Sequence, residues 1–399
     1  MNRYRSLKLR SKCALGISTG IMLAACAYAS DTDWQMHGAL TQGVIYTSDN
    51  NFYGNSDDNA SLKFTEIDFN ASARLRPNLR AAGQVLYRHT GSQSEGGSVD
   101  YAFLDYQFFT DPSFISGIRG GRFKVPIGLY NETRDVAFTR PSIYMPQSAY
   151  PDTARDLELS SDGALVYGEL FTNKAGQWTA EFGVGQPRID EKTVRSVFGF
   201  LPGDISNVSG HTSTVGRLLY QSSGGEWQAS FSRSDVRVDY RQALAPMLST
   251  DIEIKLVYWL ASLQYSLDQW IFTGEYGQID ARLNSNLFEQ GFHPQAYYLQ
   301  ATRRLDAQWS IYTRWDNLYW DRHDHSGNDY AALTGRKAYA NFAHDYNLGV
   351  RFDVNSNAMI SAEYHYIEGT AWLSPADNSA LNNAAKYWQM LALEFSYRF

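Results

Sequence analysis

Apolar and polar residues alternate along most of this chain with a period of two. The clearest run is Leu62 to Arg76. Ile67, Phe69, Ala71, Ala73 and Leu75 fall on one face, and Glu66, Asp68, Asn70, Ser72, Arg74 and Arg76 on the other. That period predicts a strand with two unlike faces, not a helix. The pattern recurs to the end of the chain, interrupted by turn residues such as Pro77-Asn78, Asp111-Pro112 and Gly224-Gly225. It predicts sixteen strands, near residues 33–46, 62–76, 79–89, 99–109, 115–124, 163–171, 178–186, 212–221, 227–235, 254–267, 270–279, 295–304, 309–320, 346–354, 358–369 and 387–399.

The connections alternate in length. Seven are short, near 77, 111, 173, 223, 268, 306 and 356; eight are longer, over 47–61, 90–98, 125–162, 187–211, 236–252, 280–294, 321–345 and 370–386. An even strand count with short turns at one end and long loops at the other is the layout of a sixteen-stranded antiparallel transmembrane β-barrel of the Gram-negative outer membrane. Trp178, Trp227, Trp270 and Trp309 each follow a short turn by one to three residues. Amphipathic rings at one level predict an aromatic girdle at the lipid–water boundary. The last strand places Tyr387, Leu391, Leu393, Phe395, Tyr397 and Phe399 on one face. An alternating strand that ends the chain on an aromatic resembles the assembly signal of outer-membrane barrels.

The N-terminus supports that destination. MNRYRSLKLRSK carries five basic residues, an apolar run follows from Cys13 to Cys26, and Ala27-Tyr28-Ala29 is a small-x-small cleavage signal. Residues 1–29 are therefore expected to be a signal peptide, with residues 30–399 as one barrel domain. Leu23-Ala24-Ala25-Cys26 also resembles a lipoprotein cleavage site, which would leave Cys26 as a lipidated first residue. Cleavage after Ala29 leaves no cysteine, hence no disulfide framework and no thiol chemistry. Losing five basic residues takes the formal charge from −7 to −12, which argues against nucleic acid as a partner. No cofactor is expected. Asp321-Arg322-His323-Asp324-His325 reads as a solvated loop rather than a metal site, because no further ligands stand near it in the sequence. No phosphate-cradling glycine loop and no nucleophile elbow is present.

In this register the charged face of each strand lines a water-filled lumen. Arg74, Arg76, Arg80, Arg88, Arg122 and Lys124 form a basic wall, with Asp105 among the opposing acids. The longest loop, 125–162, carries Pro126, Pro141, Pro146 and Pro151 and shows no regular period. A structureless segment of that length is uncommon unless functional or disordered. Its aromatic content argues against disorder, so it is expected to fold into the pore. It interleaves Arg134, Arg140 and Arg155 with Glu132, Asp135, Asp152, Asp156 and Glu158, so some arginines are expected to hold the loop and a few to face the solute.

Gly121-Arg122-Phe123-Lys124-Val125-Pro126-Ile127-Gly128, running into this loop, resembles the phosphate-selective porin O and P family and the related trimeric dicarboxylate-type porins. That resemblance implies a homotrimer in outer-membrane lipid, with an inward-folded third loop. It also implies passage of small hydrophilic, anionic solutes past an eyelet at Arg122 and Lys124. The interleaved acids and the missing lysine ladder depart from the phosphate pattern. Two other classes remain: a barrel enzyme or closed structural barrel, and a secreted β-sandwich that binds sugars.

Overall fold

The computed structural model describes residues 33–172, 174–198, 203–245, 248–378 and 381–399. The expected leader, with Cys26, lies outside the described residues. The strands are β1 (Asp33–Thr47), β2 (Ser61–Arg76), β3 (Leu79–Thr90), β4 (Ser94–Asp111), β5 (Phe114–Lys124), β6 (Ser160–Thr172), β7 (Gly176–Pro187), β8 (Ile205–Gly210), β9 (Ser213–Gln221), β10 (Trp227–Ala245), β11 (Leu248–Leu267), β12 (Trp270–Ser285), β13 (Glu289–Phe292), β14 (Gln295–Arg304), β15 (Trp309–Tyr319), β16 (Phe342–Asp353), β17 (Ala358–Gly369) and β18 (Tyr387–Arg398). β8 and β9 both pair with β10, and β13 and β14 both pair with β12, so each couple is one interrupted stave. β1 pairs with β2 on one side and β18 on the other. The result is a closed sixteen-stranded antiparallel barrel, as the alternation predicted. The seam ends where Gly38 and Phe399 exchange backbone hydrogen bonds of 3.0 and 3.1 Å. Closure removes the free edges that an open sheet would present.

Side-chain alternation sets which face meets what. Along β18, Trp388, Met390, Ala392, Glu394 and Ser396 are buried inside, while Tyr387, Leu391, Leu393, Phe395 and Tyr397 stand exposed outside. The same outward exposure of Leu, Ile, Phe and Tyr recurs around the barrel. A continuous apolar belt of this size belongs in lipid. Trp178, Trp227, Trp270 and Trp309, 37–44% exposed, sit within the first residues of β7, β10, β12 and β15 and ring the short-turn end.

Three of the expected loops are corrected. Residues 90–98, 236–252 and 280–294 are mostly strand, because β4, β10, β11 and β12 run past the membrane-facing stretch. Val238 still pairs opposite Ile254 and Tyr240 opposite Ile252. Arg241 and Asp251 point outward there and are exposed, whereas Val238, Tyr240, Ile252 and Ile254 point inward and are buried. The polar and apolar faces have exchanged places, so the period of two continues while its sense reverses.

The buried apolar residues lie within the barrel, where loops pack on its inner wall. One cluster joins Phe52 and Tyr53 to Ile143, Tyr144, Trp372 and Trp388. A second joins Phe123, Val125, Ile127 and Tyr150 to Tyr258, Leu260 and Tyr298. A third joins Leu157, Val194 and Ile205 to Val238, Ile252 and Leu283. Glycine matters where a ring must lie flat on the wall. A side chain at Gly349 would run into the ring of Tyr312, whose hydroxyl donates to Glu363 at 2.5 Å. Gly349→Val should therefore displace that ring and cost about 1–3 kcal/mol, seen as a lower midpoint for loss of the compact, heat-modifiable gel band. An unchanged midpoint would contradict the packing.

Candidate solute pathway

The segment between β5 and β6 enters the lumen. Its four prolines cannot donate to a strand ladder, which keeps it out of the sheet. It holds only two 3₁₀ turns, Ala137–Thr139 and Asp152–Ala154, and a short helix, Arg155–Leu159. Gly128 allows the entry turn: its φ is +59°, and a Cβ there would strike the Tyr150 hydroxyl.

Hydrogen bonds then fasten the loop to strands on the far wall. Gly128 N donates to Ser232 Oγ at 3.0 Å, and Leu129 N to Glu275 at 3.1 Å. Tyr258 donates to the Ala149 carbonyl at 3.0 Å, and Gln300 to the Pro141 carbonyl at 2.8 Å. Ile143 N reaches Glu363 at 2.6 Å, and Arg314 reaches the Tyr144 carbonyl at 3.2 Å. Arg351 donates to the Phe138 carbonyl at 3.2 Å, with Phe138 beneath the guanidinium of Arg398 at 4.1 Å.

Ion pairs fasten the near side. Arg88 bridges Glu66 at 2.8 Å and Asp152 at 3.1 Å, and Arg134 meets Asp152 at 3.3 Å. Arg140 pairs with Glu66 and approaches Glu394 at 3.6 Å. Asp135 is held between Lys124 and Arg155, the latter at 2.5 Å, and Arg155 also meets Asp100 at 3.3 Å. Arg217 joins Glu132 at 2.5 Å to Glu181 at 2.6 Å. Burial works against the charge on Asp135, but Arg155 and Lys124 outweigh it and hold that carboxyl well below the ordinary range. Burial lowers Arg134 to about 10. Glu158 has no ion pair among the described residues. Burial pushes its carboxyl up to about 8, with Arg134 pulling it back only in part.

The expected site residues thus divide into three groups. The side chains of Arg88, Lys124, Arg134, Arg140, Arg155 and Asp135 are buried in the network, with Glu132 at its edge on Arg217. Arg74, Arg76 and Arg80 are exposed on the inner face at the short-turn end and form no ion pair among the described residues. Asp105 lies in the same half, accepting from Tyr167 at 2.8 Å.

Arg122 is a correction. It pairs across the sheet with Ala102 and Asp162, sharing the outward face of Leu104, Ile118 and Val166. Its guanidinium binds Asp162 at 2.6 Å and the Val99 carbonyl at 2.9 Å on the outer surface. Phe123 takes the inward position beside it. The inward arginine of β5 is Arg119, near Asp105 at 3.5 Å and over the Tyr167 ring at 4.9 Å. Counting parity back from Phe123 would have found it. In the 321–325 run, Asp324 accepts the backbone N–H groups of Asn328 and Tyr330, and His325 stacks on Tyr319 at 3.9 Å.

Above the loop, toward the long-loop end, lies a cavity of about 1260 Å³. Its floor is the loop itself, with Val125, Ile127, Ser148, Ala149, Leu157 and Glu158 among its residues. Below the loop, the short-turn mouth is lined by the free arginines.

No protein-family model matches the chain, and no curated protein does. Solved structures do match. The anion-selective porin from Comamonas acidovorans aligns with a TM-score of 0.56 at 13% identity, over 92% of this chain and all of that one (100%). The outer-membrane channel DcaP of Acinetobacter baumannii aligns with a TM-score of 0.58 at 10% identity, over 92% and 97%. The trimer form of OmpT, an outer-membrane protein of Vibrio cholerae, aligns at 0.53 and 12%, over 92% and 99%. This chain has the porin fold. At such identities the likeness concerns the fold alone, and the residues of the porin-type lumen are this chain's own.

Removing one member of a buried ion pair strands its partner and costs about 3–5 kcal/mol. Glu66→Gln should therefore loosen the loop, exposing the bonds after Arg134 and Arg155 to trypsin while the wild-type loop resists. Equal resistance of both proteins would refute the anchoring role. Glu158 gives a pH signature. Its carboxyl sits above its ordinary value of 4.5, so the seated loop binds the proton more tightly than the released one. The loop's stability should be full below about 4.5, fall as pH rises and level off above about 8. Glu158→Gln should flatten that slope in thermal midpoints measured from pH 5 to 9; an unchanged slope would assign it to other groups.

Proposed function

We propose that the chain is an outer-membrane channel for passive diffusion of small hydrophilic solutes. Loop 125–159 forms its constriction, and the lower mouth leans to anions. The observation that carries this reading is the loop's course: it crosses inside the barrel, held by buried ion pairs on one wall and by hydrogen bonds on the other. A loop placed so narrows the only space a solute could cross. The lean to anions is supported by Arg74, Arg76 and Arg80, which form no ion pair among the described residues, with Arg304 and Arg398 exposed at the same end. Charged rings of this kind select by sign and must bind weakly enough to release. Phosphate specificity draws no support from the Gly121–Gly128 stretch. Arg122 faces outward, and Lys124 spends its charge on Asp135. Assembly as a homotrimer in outer-membrane lipid is supported by the trimer form of the OmpT neighbour. Residues 30–399 would be the mature barrel after loss of the leader.

Reconstitution in planar bilayers tests the reading. Wild-type protein should conduct and show an anion-side reversal potential across a salt gradient. Changing Arg74, Arg76 and Arg80 together to Glu should move that potential toward cation selectivity. A cation-selective wild type would sink the anion part. Folded protein without conductance would sink the channel.

A further inference from the structure

Water-filled barrels keep polar inner walls. The lower half of this one does, with Gln228, Ser230, Ser232 and Ser234 in sequence along the inner face of β10. Higher up, the inner faces of β10, β11 and β12 become apolar. Some of that change is explained by packing: Val238, Tyr240, Ile252, Ile254 and Leu283 are covered by Val194, Ile205 and Leu157. Val236, Leu256 and Ile279 are not fully covered, and they line the cavity opposite Ile127 and Leu157 of the loop, with Trp372 on another side. Leaving such a wall against water is unfavourable, at about 25 cal/mol per Å² of apolar surface. A cavity of about 1260 Å³ is larger than most ligand pockets, which run to about 1,000 Å³.

One polar group in this wall stands apart from the ion-pair network. The Glu158 side chain is half-buried, lines the cavity and forms no ion pair among the described residues. It can pair with a hydroxyl or amide. The charged residues on the rim tilt negative, with Asp321, Asp324 and Asp329 against Arg195 and Arg336, which disfavours an organic anion.

We propose that this vestibule binds a small uncharged amphipathic solute, with an apolar body of one or two rings and a hydroxyl or amide head that pairs with Glu158. The apolar wall takes the rings, and the head points down at the loop. The site lies before the constriction on the long-loop side, so occupancy precedes passage and does not require ion conduction.

Calorimetric titration of the detergent-solubilised, full-length barrel tests this with 2-naphthol, 2-naphthalenesulfonate and glucose. Saturable one-to-one binding of 2-naphthol, at least tenfold tighter than the sulfonate and with no heat from glucose, is the expected result. Leu256→Asp should weaken 2-naphthol at least tenfold and Glu158→Ala about threefold. Both should keep heat-modifiable migration; Ile279→Thr replaces Leu256→Asp if that variant fails to fold. Equal 2-naphthol uptake by the wild type and the wall variant would mean partition into the micelle and overturn the site. Sulfonate binding as tightly as naphthol would overturn the uncharged class, and glucose binding would overturn the apolar one. Because binding is read without current, a conducting barrel that ignores 2-naphthol would fail this proposal alone. A binding barrel that does not conduct would fail the channel reading alone.

Discussion

Buried charge has to be paired, and that requirement organises the interior of this barrel. Glu66, Asp100 and Asp135 would be costly inside without their arginines, and Arg88, Arg140 and Arg155 equally so without their acids. The strands supply some of these partners and loop 125–159 supplies others. Neither is satisfied until the loop is seated inside. The network fixes the loop's position more than it adds net stability, since buried pairs often only break even against their desolvation. What it secures is a single seating for thirty-five irregular residues.

Around that seating the lumen has three levels. The short-turn mouth carries Arg74, Arg76 and Arg80, which form no ion pair among the described residues, with Asp33 and Asp105 opposite Arg74 and Arg80 across the sheet. The middle is the loop, where almost every charge is matched and few remain for a solute. The long-loop end is an apolar chamber, enclosed by the upper parts of β10–β12 and the inward-folded loops. The polarity of the wall therefore changes with depth. The outside of the barrel changes in the opposite sense, from apolar in the belt to charged where Arg241, Asp251, Glu253 and Lys255 rise above it.

The strand count, the antiparallel order, the girdle and the inward course of the longest loop were legible in the sequence. A period of two is local: each residue declares its face by its neighbours, and turn residues mark the ends. The mixed signs within 125–162 also announced a loop held by its own ion pairs. Misreadings arose where the local rule was incomplete. The motif residue Arg122 was assigned inward although Phe123 beside it competes for that position, and an alternating strand cannot satisfy both. The tops of β10–β12 read as loop because their faces are reversed, and nothing in a short window says which side is wet.

By itself, then, the sequence determined a closed barrel with one irregular segment rich in paired charge, because alternation and composition are properties of neighbouring residues. Only the tertiary structure decided which charges meet. Glu66 and Arg140 are 74 positions apart, and Glu363 and Ile143 are 220 apart. Such pairings depend on where the closed wall brings the loop, and no period along the chain encodes them. The apolar chamber above the loop was decided the same way. It exists because the reversed inner faces of the neighbouring strands β10–β12 meet loop residues far from them in sequence, Ile127 and Leu157 among them.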